Sequence, residues 1–250
     1  MTMVLRHRTS AFVLGREDSL DADRTFFVFT KDFGRIEVLG KSIRKIDSKL
    51  KGGIEVFSLS NIEFIQGKNK KTLTDAVFIK KFKNVFESTN MLETAHKISQ
   101  LADNFIKGQE PDEKIWDLLT DVFEKLNNYQ ENNRGCQLIY PYFFWNFVSM
   151  LGYGPELSNC ANCSAKLNPY ELYFSSKEGG VICKICYTLN RNSIKVKSGV
   201  VKVLRLIIKK DWSILSKLKI ENSMQESLNE VSDNYYSYLK SNFNGYLKNT

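Results

Sequence analysis

"CANCSAKLNPYELYFSSKEGGVICKIC" (residues 160–186) holds four of the chain's five cysteines, arranged as two C-x-x-C pairs. Between Cys163 and Cys183 lie 19 residues, a spacing expected of a four-cysteine zinc site. Zn²⁺ takes four thiolates tetrahedrally at ~2.3 Å, and each C-x-x-C turn can aim two sulfurs at one ion. The intervening "YELYFSSKEGGVI" reads as a hairpin with Gly179 and Gly180 in its turn, which carries the chain from one pair to the other. The segment therefore reads as a zinc ribbon with Cys160, Cys163, Cys183 and Cys186 as ligands. One Zn²⁺ is expected, and because sulfur fills all four positions it is structural. A redox role calls for one C-x-x-C beside a βαβ unit, and the sequence has two pairs and no such unit. Disulfides are unusual in the cytosol, while iron–sulfur ligation by four cysteines stays open. Cys136 stands alone and reads as a buried small hydrophobe.

Towards the N-terminus, the first ~80 residues read as five strands, at 10–15, 25–30, 34–42, 54–66 and 72–82. Turn-type residues separate them, and no convincing amphipathic helix intervenes. Such a pattern favours a small closed barrel, with the five-stranded oligonucleotide-binding (OB) fold as the economical choice and an SH3-like barrel as a close competitor.

From Ser88 the apolar period becomes helical. Met91, Ala95, Ile98, Ala102 and Phe105 form one stripe, with Asn90 and Glu93 as a capping box and Gly108 as a stop. Pro111 opens a second helix, and a third covers roughly 134–151, where Pro141 implies a kink or a late start. Two further helices follow the cysteines. The expected fold is α+β and multi-domain: an OB-fold barrel (1–84), then an all-α domain (85–155 and 193–250) interrupted by an inserted zinc ribbon (156–192).

The 250-residue chain carries a formal charge of +8, unevenly spread. Residues 1–86 sum to +7, residues 87–159 to −6 and residues 160–250 to +7. Basic segments of this kind attract polyanions, with nucleic acid the usual partner. Lys41, Arg44, Lys45, Lys49 and Lys51 fall in one connection of the barrel, Lys68, Lys70 and Lys71 in the next, and Arg35 at the third strand. OB folds bind single strands through a charged groove and aromatic platforms, so these residues are the candidate DNA contacts. Phe26, Phe27, Phe29, Phe57 and Phe64 read mostly as barrel core, with one or two exposed. No apolar run reaches the ~18–20 residues of a membrane span, and the first residues lack a signal-peptide pattern, so a cytoplasmic, nucleoid-associated protein is expected.

Catalytic signals are weak. His7 and His96 lack a nucleophile or metal partner at a working spacing and read as packing or surface residues. "GRIEVLGKS" (34–42) imitates a phosphate loop, but five residues rather than four separate its glycines and the run reads as a strand. Asp21/Asp23 and Asp112/Glu113 read as a turn and a helix N-terminus.

Three stretches resemble the bacterial RecO family of recombination mediators: "TFFVFTKDFGRIEVLGKSIRK", "LTDAVFIKKFKNVFES" and "YFFWNFVSMLGYGPELSNCANCSAKLNPYELYFSSKEGGVICKIC". The resemblance covers about residues 10–190, and its last stretch is the specific one. It implies a non-enzymatic DNA repair protein that binds single- and double-stranded DNA and anneals complementary strands. It further implies action with RecR, and with RecF, to help RecA replace single-stranded DNA-binding protein (SSB), whose C-terminal tail the family contacts. The zinc ligands carry over as the four cysteines above. The acidic stretch "GREDSLDADRT" is expected to face away from DNA. A competing reading is a zinc-ribbon interaction scaffold whose positive charge is incidental.

Overall fold

The structure, a computed structural model, describes residues 5–19, 22–106, 108–128, 136–189 and 191–247, with side chains to residue 242. Asp21 and residues 134–135 of the expected third helix lie outside the described residues. Two compact units divide at Asn128.

In unit 1, β1 (Arg6–Ser19), β2 (Asp23–Thr30), β3 (Gly34–Gly40), β4 (Ser58–Gln66) and β5 (Lys71–Lys81) close a barrel in the order β1-β2-β3-β5-β4. All pairings are antiparallel except β3 with β5, where Val38 faces Lys71 and Leu39 faces Thr72. This five-stranded closure is the OB arrangement. Alternation explains it: on β3, Ile36 and Val38 are buried while Arg35, Glu37 and Leu39 point outward. Phe26, Phe29, Phe57 and Phe64 are buried, each contributing roughly 1.5–3 kcal/mol of apolar burial, and Phe27 alone of the five stays partly exposed.

The β2–β3 turn shows why "TKDFG" is needed. The Thr30 hydroxyl donates to the Gly34 carbonyl (2.9 Å) and accepts from the Phe33 N–H (3.0 Å). Gly34 has φ +58°, and a Cβ there would lie 2.2 Å from the Glu110 carbonyl oxygen, so only glycine fits. Residues 34–40 form β3 rather than a phosphate loop, and the strand stops at Gly40, short of the expected 42, where the chain turns through Ser42 at φ +51°.

Some boundaries differ from expectation. β4 starts at Ser58 rather than 54, because Phe57 sits at φ +56° with its N–H given to Val13 O (2.9 Å), which turns the chain before the strand. The acidic stretch does not stand apart from the basic residues: Asp18 accepts from Arg24 (2.5 Å) and lies 3.8 Å from Arg44. Arg24, with burial opposing, holds the Asp18 carboxyl below its usual range.

Helix α1 (Thr89–Phe105) has Ser88 as N-cap with no side-chain bond, so the Asn90/Glu93 box does not form; Asn90 lies inside the first turn. Helix α2 (Glu113–Asn127) is capped by Asp112, whose carboxylate accepts from Ile115 N (3.0 Å), leaving Pro111 just outside. Phe123 of α2 places its ring 4.5 Å from Phe12 of β1 and 5.6 Å from Phe82, so the aromatic core runs from barrel into helices and the unit extends to Asn128.

Unit 2 contains α3 (Ile139–Met150), the ribbon strands β6 (Leu172–Ser175) and β7 (Gly180–Ile182), α4 (Lys184–Leu189), β8 (Ile194–Val196), α5 (Ser198–Ile208), α6 (Trp212–Leu215) and α7 (Asn222–Leu247). Pro141, third residue of α3, gives the late start: its missing N–H falls where none is needed. Trp145 organises the core, donating Nε1–H to Ser232 Oγ (3.0 Å) and stacking on Tyr235 at 5.3 Å. Burial pushes the Tyr235 hydroxyl up to about 12, and it donates to the Tyr153 carbonyl (3.0 Å). Cys136 is half-buried rather than buried. Among the described residues, no helix is long and apolar enough to cross a membrane.

Candidate metal centre and nucleic-acid interface

The ribbon sheet has the order β7-β6-β8, with the expected hairpin extended by β8. Gly179 (φ +66°) makes its turn. Gly180 pairs with Glu156, exchanging Val181 N–H to Glu156 O (2.8 Å) and Glu156 N–H to Gly179 O (2.9 Å). A Cβ on Gly180 would lie 2.3 Å from Glu156 O, so this glycine lets the strand leading to Cys160 lie against the hairpin. The Arg205 guanidinium of α5 donates to Leu157 O (Nε at 3.1 Å) and fixes the same strand from its other side.

Cys160 and Cys163 flank a tight knuckle. Ser164 takes φ +58° and donates its N–H to Cys160 O (2.8 Å). The second pair straddles the start of α4, where Tyr187 N–H donates to Cys183 O (3.0 Å). The four sulfurs lie within 4.8 Å of one another, with Cys160 Sγ 3.7 Å from Cys186 Sγ and Cys163 Sγ 3.8 Å from Cys183 Sγ. A disulfide would need ~2.05 Å, so these are free thiols. A tetrahedron of ligands ~2.3 Å from a central ion has edges of about 3.8 Å, so the four sulfurs fit one tetrahedral metal ion. Tyr173 and Tyr187 stack at 3.8 Å beside the cluster and shield it.

The electrostatics also suit a cation. Burial alone would raise the Cys160 thiol, but N–H groups of Cys163, Cys183 and Asn162 pull it down to about 6. Cys183 N–H, for one, donates to Cys160 Sγ at 3.3 Å. Cys186 is pushed up to about 12 by burial and by the neighbouring thiols.

The predicted DNA-contact residues divide into two sets. Arg35, Lys70 and Lys71 line one groove of about 360 Å³ at the barrel surface, whose wall also includes the carboxylate of Glu37 and the polar Thr25, Gln66, Asn69 and Gln109. Lys68 is exposed in the adjoining β4–β5 turn. Lys41, Arg44, Lys45, Lys49 and Lys51 are exposed along the β3–β4 connection and do not line that groove. Arg35 is not free: it pairs with Asp103 of α1 (Nε to Oδ1, 2.7 Å) and with Glu37 (3.4 Å), and its guanidinium lies 5.8 Å from the Phe27 ring centre. Phe27 is the outward one of the five aromatics, as strand alternation led one to expect of one or two of them, whereas Gln109 was not foreseen as a groove residue because its place depends on tertiary packing. His7 stacks on Phe64 (5.2 Å) and His96 meets the Phe57 edge (5.0 Å).

Comparison with known proteins accounts for nearly the whole chain. Residues 1–82 match the family described as Recombination protein O N terminal, and residues 90–241 match Recombination protein O C terminal. A DNA repair protein RecO of Dehalococcoides mccartyi is 33% identical over 228 residues, which is 91% of this chain and 88% of that protein. The DNA repair protein RecO of Alkaliphilus metalliredigens is 27% identical over 228 residues, 91% of each chain. The chain belongs to the RecO family of DNA repair proteins.

Proposed function

We propose that this RecO-family chain is a non-enzymatic recombination mediator that binds single- and double-stranded DNA and anneals complementary strands. With RecR, and RecF, it helps RecA replace SSB on single strands, touching the SSB C-terminal tail. The groove shared by Lys70, Lys71 and Arg35 is the observation that carries DNA binding. It lies on the β2–β3 face beside the β4–β5 turn, where OB folds take oligonucleotides. The exposed Lys41, Arg44, Lys45, Lys49 and Lys51 extend the positive field along the β3–β4 connection, and Lys68 does so at the turn. Phosphate contacts from mobile lysines give affinity without sequence preference, as annealing arbitrary complements requires.

The metal is one structural Zn²⁺ on Cys160, Cys163, Cys183 and Cys186; it supplies folding energy to the ribbon and no chemistry. Strand annealing of labelled complements, with and without SSB coating, tests the reading. Annealing faster than the spontaneous reaction supports it, and no acceleration on bare or coated strands contradicts it.

A second reading, a partner-docking scaffold, draws on Tyr170, Ile185 and Leu189 of the ribbon, which are 88%, 74% and 81% exposed. It predicts partner binding that DNA neither assists nor competes with.

A further inference from the structure

Unit 1 holds a second cavity, of about 510 Å³, that neither the metal cluster nor the basic groove uses. Phe27 and Phe57 contribute from the barrel side, Phe86 from the turn before α1, and His96 and Ser99 from α1 itself. Three features mark it as built for an occupant. Ser99, a residue of the cavity wall, is only 6% exposed, and its buried hydroxyl has no hydrogen-bond partner. Leaving such a group unpaired costs about 1–3 kcal/mol. Phe57, a bulky residue, is held at φ +56°, a conformation that costs roughly 1–3 kcal/mol and clusters at functional sites. Its ring meets Phe86 at 6.0 Å and His96 at 5.0 Å, and Phe86 remains 50% exposed, an aromatic lip open to solvent.

We propose that this cavity captures one nucleobase of a bound single strand, between the aromatic rings of Phe57, Phe86 and His96. The inference rests on the DNA-binding reading above and deepens it. A base is favoured over a peptide side chain because the cavity continues the strand path. Arg35 lines the basic groove and lies over Phe27, while its partner Asp103 lines the cavity. A strand laid along Lys71 and Lys70 therefore arrives at the cavity mouth, where the exposed Arg16 stands ready for a phosphate. The exposed Gln100 amide in the cavity wall both donates and accepts, so the pocket holds any base edge with little preference. A captured base is unstacked and presented away from its neighbours, which keeps a bound strand from folding on itself before its complement arrives.

The test uses the full chain and a strand of about 12 abasic nucleotides, a length within OB-fold site sizes, with or without a single 2-aminopurine. The base is expected to tighten binding roughly tenfold, as stacking of one base on aromatic rings does, and to lose fluorescence on stacking. Phe86→Ala, which strips the exposed lip, and Gln100→Trp, which blocks the mouth from the helix surface, should each abolish both effects while leaving the salt dependence unchanged. Equal binding of the two strands, or a base effect that survives both variants, overturns the inference and leaves DNA binding standing. Failure of every strand to bind in dilute salt overturns both readings. Displacement of a base-independent complex by an aromatic peptide assigns the cavity to a protein partner instead.

Discussion

Arg35 donates from Nε to Oδ1 of Asp103 at 2.7 Å, so a barrel arginine that the sequence offers to phosphate is held by a helix of the same unit. The pair places a carboxylate beside the basic groove and weakens its positive field. Asp103→Asn should therefore tighten single-strand binding a few-fold at low salt and steepen the salt dependence by about 0.7 per phosphate gained. Anisotropy at two salt concentrations checks this, and unchanged affinity would show that Arg35 does not reach the strand.

Removing one sulfur should dismantle the ribbon. Cys183→Ala leaves three sulfurs for the proposed Zn²⁺, which in small zinc folds contributes on the order of 10 kcal/mol of apparent binding energy. Metal content should fall well below one per chain, and the melting transition of unit 2 should drop or broaden while unit 1 is spared. Full metal content with unchanged melting would remove Cys183 from the ligand set.

Metal uptake should be coupled to protons with a definite sign. In the metal-free fold, hydrogen bonds outweigh burial and hold Cys160 down at about 6 against an ordinary 9.0. That group therefore stabilises the fold fully above 9.0 and loses its contribution as pH falls through about 6. Cys186, held up at about 12, must surrender a proton to bind metal at any neutral pH. Calorimetry in buffers of different ionisation enthalpy should show proton release on metal uptake that grows as pH is lowered through about 6, with affinity falling in step.

Two backbone positions in the ribbon should respond oppositely. Ser164 pays for a left-handed conformation (φ +58°), so Ser164→Gly should stabilise unit 2 by up to about 1 kcal/mol. Gly180→Ala forces a Cβ against Glu156 O and should cost about 2 kcal/mol or more. Denaturant midpoints decide both.

Much of this was legible in the sequence because it is local. The C-x-x-C spacing foretold that four sulfurs would come together, since two-residue knuckles and one hairpin are local; strand alternation gave the barrel, and the Lys68–Lys71 turn announced its charge. What stayed hidden depends on packing between distant segments. The Arg35–Asp103 pair spans 68 residues, Ser88 displaced Asn90 as the cap of α1, and β8 and α6 are too short to show a period. Phe57 at positive φ, which makes the fourth strand start late, follows from its bond to Val13 and leaves no mark in composition.

Whether the barrel grips nucleic-acid phosphates is tested most directly by anisotropy of a labelled single strand across rising salt, for the native chain and the Lys68→Glu, Lys70→Glu, Lys71→Glu triple variant. The native chain should lose affinity linearly in log–log form, by about 0.7 per neutralised phosphate, and the variant should bind every sequence more weakly with a shallower slope. A flat salt response, or a variant indistinguishable from the native chain, would contradict the assignment of this groove to DNA.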